Sequence, residues 1–159
     1  MQHADLLAQI PMFEGLTDED REALAARLTE RKCAAGGTVF AKGDEGASMY
    51  VVLSGAVQIY LPAENQAGPR VVLKDVRTGE YFGELALFDD KPRSASVEAM
   101  VDTVLLELTR GEFAEHISRS KTAALAILHE MAERLRVTNA MLGQRTPSQV
   151  PGLRRAVGG

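Results

Sequence analysis

A mainly β fold, an antiparallel β-roll of the double-stranded β-helix or jelly-roll kind with flanking helices, is predicted by three features of this sequence. Six short runs rich in β-branched and aromatic residues lie between about residues 29 and 110. Glycine-containing turns separate them at spacings suited to the tight corners of a roll. On either side the apolar residues switch to helical periodicity, which gives N-terminal helices and one long C-terminal helix.

The first segment, DLLAQIPMFEGL, predicts a short helix broken at Pro11, with Met12, Phe13 and Leu16 forming an apolar patch that docks on the roll. LTDEDREALAARLTER predicts one amphipathic helix. Thr17 is its N-cap, acidic residues fill its first turn, and Ala23, Leu24 and Leu28 share a face. The strands follow as TVFA, SMYVVLS, AVQIYL, RVVLKDV, SASVEAM and DTVLLEL. Alternation in the last of them places Val104, Leu106 and Leu108 on one face and Leu105 and Glu107 on the other. Ala95, Val97 and Ala99 line up together. Small residues there leave room for a ligand and are equally compatible with a narrow roll.

After Gly111 the chain is helical again, first as EFAEHISRS and then as KTAALAILHEMAERLRVTNAMLG, ending near Gly143. In the long helix Leu125, Leu128, Ala132, Leu135, Asn139 and Leu142 recur at 3,4,3,4,3 spacing, the seam of a two-stranded coiled coil with a polar residue at one core position. That pattern predicts a homodimer through residues 121–143. The same stripe would also serve to pack a lone helix on its own domain. A flanking stripe of Ile127, Met131, Thr138 and Met141 is placed to face the roll.

With 159 residues, 25% charged and 45% hydrophobic, the composition is that of one globular domain, residues 1–143, followed by a flexible tail over 144–159. A formal net charge of −4 supplies no global attraction to DNA or to an anionic membrane. No apolar run reaches membrane-spanning length, and the N-terminus lacks the features of a signal peptide, so a cytoplasmic location is expected. Cys33 is the only cysteine, and His3, His116 and His129 are scattered; neither a disulfide, a metal site nor a cofactor is expected. No nucleophile–base pair or paired carboxylate set emerges, and Asp89-Asp90 reads as a solvent-facing turn. An enzyme is therefore not expected, and no catalytic residue is assigned.

The segment FGELALFDDKPRSASV, Phe82 to Val97, carries the chemistry. Gly83 permits a turn closed to other residues, and GELAL can open a short helix whose first amides face outward as an anion seat. Arg93 offers a planar fork for a phosphate oxygen, and Ser94 adds a hydroxyl donor. Glu84 would repel a phosphate unless it had a donor of its own, and a ribose 2′-hydroxyl is such a donor. Singly, each residue reads as an ordinary helix-start acid, solvated arginine or strand serine. Their value lies in the grouping.

Phe-Gly-Glu-Leu-Ala-Leu followed by Pro-Arg-Ser-Ala-Ser resembles the phosphate-binding cassette of the cyclic nucleotide-binding domain family, and the resemblance extends over about residues 13–143. It implies that Glu84 binds the ribose hydroxyl, Arg93 binds an exocyclic phosphate oxygen, and Gly83, Leu85, Ala86, Ser94 and Ala95 line the same cavity. The run EMAERLRVTNAMLG is similar to the family's dimer-axis helix, where a Thr-Ser pair reaches the base. Thr138 and Asn139 stand at those positions, with Asn in place of Ser. The ligand so implied is cAMP, with cGMP as the alternative. No helix-turn-helix domain is legible after Gly143, so no DNA partner is expected and any output would pass to an unidentified effector protein. The mechanism expected is a population shift in which nucleotide draws the long helix against the roll about a hinge at residues 118–122. A ligand-independent dimerisation or scaffold module of the same fold is the competing reading.

Overall fold

The computed structural model describes residues 2–65 and 68–143, which leaves the expected tail over 144–159 outside the described residues. Helix α1 (His3–Ala8), a 3-10 turn (Pro11–Phe13) and helix α2 (Asp18–Ala25) precede the strands. These are β1 (Thr29–Cys33), β2 (Thr38–Phe40), β3 (Ser48–Ser54), β4 (Ala56–Leu61), β5 (Val71–Arg77), β6 (Tyr81–Phe82), β7 (Ser96–Ala99) and β8 (Thr103–Thr109). A second 3-10 turn (Glu84–Leu87) lies between β6 and β7, and helices α3 (Arg110–Arg119) and α4 (Lys121–Gly143) follow β8. The strands form two four-stranded antiparallel sheets in the orders β1-β8-β3-β6 and β2-β7-β4-β5.

Two expectations need correction. The helix read over residues 16–31 stops after Ala25, and Thr29–Cys33 is the edge strand β1, paired with β8 from Thr29↔Glu107 to Cys33↔Thr103. Its charged residues suit an exposed edge, and Arg31 meets Glu107 across the ladder at 3.2 Å. Pairing with a strand some seventy residues away overrides the helical propensity of a Thr-Glu-Arg-Lys run. The two-residue strand β6 was not anticipated either, being too short to show alternation.

Alternation along β8 separates two cores. Leu106 and Leu108 face the helices, in a cluster with Leu7, Ile10, Met12, Phe13, Leu24, Phe113, Ala123 and Ile127. Leu105 faces the roll interior with Tyr50, Val52, Val57, Val76, Phe82 and Val97. Each fully buried Leu or Phe contributes about 1.5–3 kcal/mol through apolar burial, so the helical preface is welded to the roll. Of the flanking stripe on α4, Ile127 is buried and Met131 is partly buried, whereas Thr138 and Met141 are exposed and do not face the roll. Only the first half of α4 packs on its own domain, against the Pro11–Phe13 turn and α3.

The α3–α4 junction is held by a buried carboxylate. Asp20 Oδ1 accepts from His116 Nε2 at 3.1 Å and from Ser120 Oγ at 2.9 Å, and Oδ2 accepts from Thr17 Oγ1 at 3.2 Å. Ser120 Oγ in turn accepts from the Ala123 amide at 3.1 Å, capping α4. His116 is therefore a packed partner of Asp20, placed in the last turn of α3 where a donor suits the helix dipole. Asp20→Ala removes the acceptor of three side-chain donors, the buried His116 Nε2 among them, and should lower unfolding stability by about 1–3 kcal/mol. An unchanged midpoint in urea denaturation would show that the junction is held by other contacts.

Candidate functional site

A cavity of about 330 Å³ opens at the end of the roll, within the range of small-ligand sites. Phe40, Ile59, Phe82 and Val97 form its apolar wall, and Gly83, Glu84, Leu85, Ala86, Asp89, Lys91, Pro92, Arg93, Ser94 and Ala95 complete the lining. A wider depression of about 520 Å³ adjoins it and shares Ile59, Phe82, Gly83 and Glu84.

Backbone pairing places the cationic side of this cavity. The Arg93 amide donates to the Asp44 carbonyl at 2.7 Å, and the Gly43 amide donates to the Arg93 carbonyl at 2.9 Å, which straps residues 91–93 to the β2–β3 connection. Arg93 then turns inward. Its Nη2 donates to the Ser48 carbonyl at 2.6 Å, and its guanidinium lies 4.0 Å from the centre of the Phe40 ring. Phe40, Tyr50 and Phe82 form an aromatic platform around it, Tyr50 and Phe82 being stacked with ring centres 5.2 Å apart.

The charge of Arg93 is poorly compensated. Its Nε is buried without a hydrogen-bond partner, and no ion pair joins it to a carboxylate among the described residues. Burial pulls its pKa below the ordinary arginine value, although an arginine remains a cation in a protein. The adjacent carboxyl, Glu107, is engaged elsewhere. Burial pushes it up, but hydrogen bonds involving Ser48, Arg31 and Tyr50 outweigh this, and it sits below the usual carboxylate range.

Opposite Arg93, Gly83 has φ +75°, the left-handed region that favours glycine, and a Cβ at this position would stand 2.9 Å from Arg93 Nη1. Glycine is thus required twice, for the turn and for the approach of the guanidinium. The turn over Glu84–Leu87 starts here, and its opening amides have no carbonyl one turn earlier to bond. Ala86 and Ala95 are buried, Ser94 is exposed at the rim, and Leu85 is 64% exposed at the mouth. The structure therefore brings Gly83, Glu84, Leu85, Ala86, Arg93, Ser94 and Ala95 around one cavity. It does not bring Thr138 and Asn139 there: both are exposed on the far half of α4, and Thr138 Oγ1 donates to the Arg134 carbonyl at 3.0 Å.

Sequence reasoning missed Phe40 and Ile59, which arrive from β2 and β4 and show only the alternation common to every strand. Phe82 stands inside the motif, and its entry into the cavity wall follows from strand alternation just before Gly83.

A family model, the cyclic nucleotide-binding domain, matches residues 30–120. The chain belongs to this family. It is 37% identical over 107 residues to a cAMP-dependent protein kinase regulatory subunit of Aspergillus niger, covering 67% of this chain and 25% of the relative. To a CRP-like cAMP-activated global transcriptional regulator of Mycobacterium tuberculosis it is 30% identical over 148 residues, covering 93% of this chain and 65% of the relative. Among solved structures, the N-terminal domain of a transcriptional regulator from Streptomyces coelicolor superposes with a TM-score of 0.80 at 36% identity, over 86% of this chain and 96% of that one. The chain thus spans about a quarter of the kinase regulatory subunit and about two thirds of the transcriptional regulator. By name these relatives are regulatory proteins rather than enzymes. Among the described residues no helix is long and apolar enough to cross a membrane, and no group of three or more His, Cys, Asp or Glu is placed to hold a metal ion.

Proposed function

We propose that this domain is a cAMP sensor. The observation that carries the reading is the half-buried Arg93 guanidinium, which lines a cavity, lacks a carboxylate partner among the described residues and faces the left-handed glycine turn at Gly83. A cyclic phosphate supplies the missing anion: one exocyclic oxygen takes the Arg93 fork, the turn amides and Ser94 donate to the phosphate, and Glu84 accepts from the ribose 2′-hydroxyl. The apolar wall of Phe40, Ile59 and Val97 suits the face of a purine. The names of the relatives above support cAMP over cGMP as the ligand.

On this reading the far half of α4 is the second half of the site. Leu125, Leu128, Leu135 and Leu142 are exposed along one seam, with Leu135 at 65% exposure, and a second copy of the chain would bury them. Thr138 and Asn139 then lie on the dimer helix, within reach of a base held at either roll. Nucleotide favours the arrangement that brings cassette and helix together, and the extended Ser120 between α3 and α4 is where the chain can bend. A downstream effector protein would read the helix position.

Calorimetric titration with cAMP and cGMP, with sedimentation of the same sample, tests this. The expected result is a dimer that binds cAMP more tightly and gains amide protection over residues 121–142 on saturation. Absence of heat with either nucleotide, from a folded dimer, would favour the scaffold reading.

A further inference from the structure

Arg110 occupies the joint between β8 and α3, and its side chain runs back beneath the cassette. Its Nη1 donates toward three carbonyl oxygens, Gly46 at 3.1 Å, Ala86 at 3.3 Å and Asp89 closer still, and its own amide donates to the Ala47 carbonyl at 2.8 Å. One nitrogen with two hydrogens cannot make three separate linear bonds, so the cluster is an electrostatic clamp in which one cation is shared by converging carbonyl dipoles. No carboxylate forms an ion pair with Arg110 among the described residues, so these carbonyls hold its charge.

The carbonyls belong to the parts that shape the cavity. Ala86 and Asp89 lie in and just after the Glu84–Leu87 turn, C-terminal to its opening amides, and both residues line the cavity. Gly46 packs against Arg93: a Cβ there would stand 3.3 Å from Arg93 Nε, and Ser48, two residues on, is the carbonyl that Arg93 Nη2 bonds. A single side chain therefore fixes both the anion-binding turn and the segment that supports Arg93. It does so from the first residue of α3, whose last turn carries His116 and leads to Ser120 and α4.

We infer that Arg110 is a positioning residue for the nucleotide site and the link that carries its state to the C-terminal helices. This rests on the nucleotide reading of the cavity above. Phosphate at one end of the turn and Arg110 at the other hold the same few peptide units. A shift of the turn toward phosphate is therefore a shift of the carbonyls on which the start of α3 is anchored. Edge-to-face contact between Phe88 and Phe113, 5.6 Å between ring centres, gives the same two elements a second, apolar contact, so loss of Arg110 weakens the link without abolishing packing.

The test compares Arg110→Met, Arg110→Gln and Arg110→Lys with the unaltered chain, measuring cAMP affinity by calorimetry and amide exchange over residues 84–89, 110–119 and 121–142. Arg110→Met should weaken cAMP on the order of tenfold, within the usual span of coupling between sites. At saturating cAMP it should keep protection in 84–89 while losing most of the protection gained in the helices. Arg110→Lys, with three donors and the charge retained, should recover both to within about threefold. Arg110→Gln carries the comparison if Arg110→Met does not fold, and should resemble it. Arg110→Met or Arg110→Gln with normal affinity and normal helix protection overturns the inference, as does Arg110→Lys failing alongside a folded Arg110→Met. Failure of the unaltered chain to bind cAMP would instead sink the nucleotide reading, and is seen in the control alone.

Discussion

Arg93→Ala should abolish most cAMP affinity while leaving the empty domain nearly as stable as before. Truncating one partner of a desolvated, charge-assisted pair costs about 2–5 kcal/mol, which corresponds to a loss of roughly thirtyfold to several thousandfold in affinity. The effect on the empty domain has a different sign structure. Arg93 contributes a hydrogen bond to the Ser48 carbonyl and a cation–π contact with Phe40, about 1–3 and about 0.5–2 kcal/mol respectively. Against these stand the desolvation of the guanidinium, whose sign is given by its lowered pKa, and a buried Nε with no partner. The two sides nearly cancel, so the unfolding free energy from urea denaturation should change by about 1 kcal/mol or less. Such a combination marks a residue kept for a ligand rather than for the fold. Affinity within threefold of the unaltered chain would place the anion elsewhere. Arg93→Lys retains a point charge without the fork and should fall between the two.

Gly83→Ala is expected to be nearly as damaging, by geometry instead of charge. A residue with a side chain pays about 1–2 kcal/mol in the left-handed region that Gly83 occupies at φ +75°. Its Cβ would also stand 2.9 Å from Arg93 Nη1 and 3.4 Å from the Ser48 carbonyl, the acceptor that orients Arg93. The guanidinium is the mobile partner in that clash, so relief comes by displacing the phosphate-binding group. Stability in urea should drop by about 1–2 kcal/mol, and cAMP affinity should fall tenfold or more. Gly83→Val adds β-branching and should lose more of both. If stability falls with affinity intact, the turn relaxes without moving Arg93, and the close approach is not what the glycine serves.

Both predictions concern residues visible in a single stretch of sequence, yet their consequences depend on atoms far along the chain. The strands of the roll and the helices α3 and α4 follow from local pattern, because alternation and helical spacing are properties of neighbours. The edge strand β1 escaped for the converse reason: TERKC has no apolar alternation, and only its ladder with β8 makes it a strand. The outer half of α4 repeats the lesson. Its leucine seam is legible at 3,4 spacing, while the single chain leaves Leu125, Leu128, Leu135 and Leu142 exposed along its whole length.

Taken alone, the sequence determines the order of all elements but β1 and β6, and the chemical content of the Phe82–Val97 segment, since a glycine turn, a carboxylate, an arginine and a serine lie within twelve consecutive positions. Tertiary structure alone decides that Arg93 is half-buried on an aromatic platform, with no carboxylate ion pair among the described residues. It also decides that Arg110 grips the cassette from below, and that Asp20 locks the junction of α3 and α4. The physical reason is separation: Ser48 lies 45 positions from Arg93 and Asp20 lies 96 from His116. Which carbonyl or carboxylate meets a given donor across such distances is settled by strand pairing and core packing, not by any local pattern of residues.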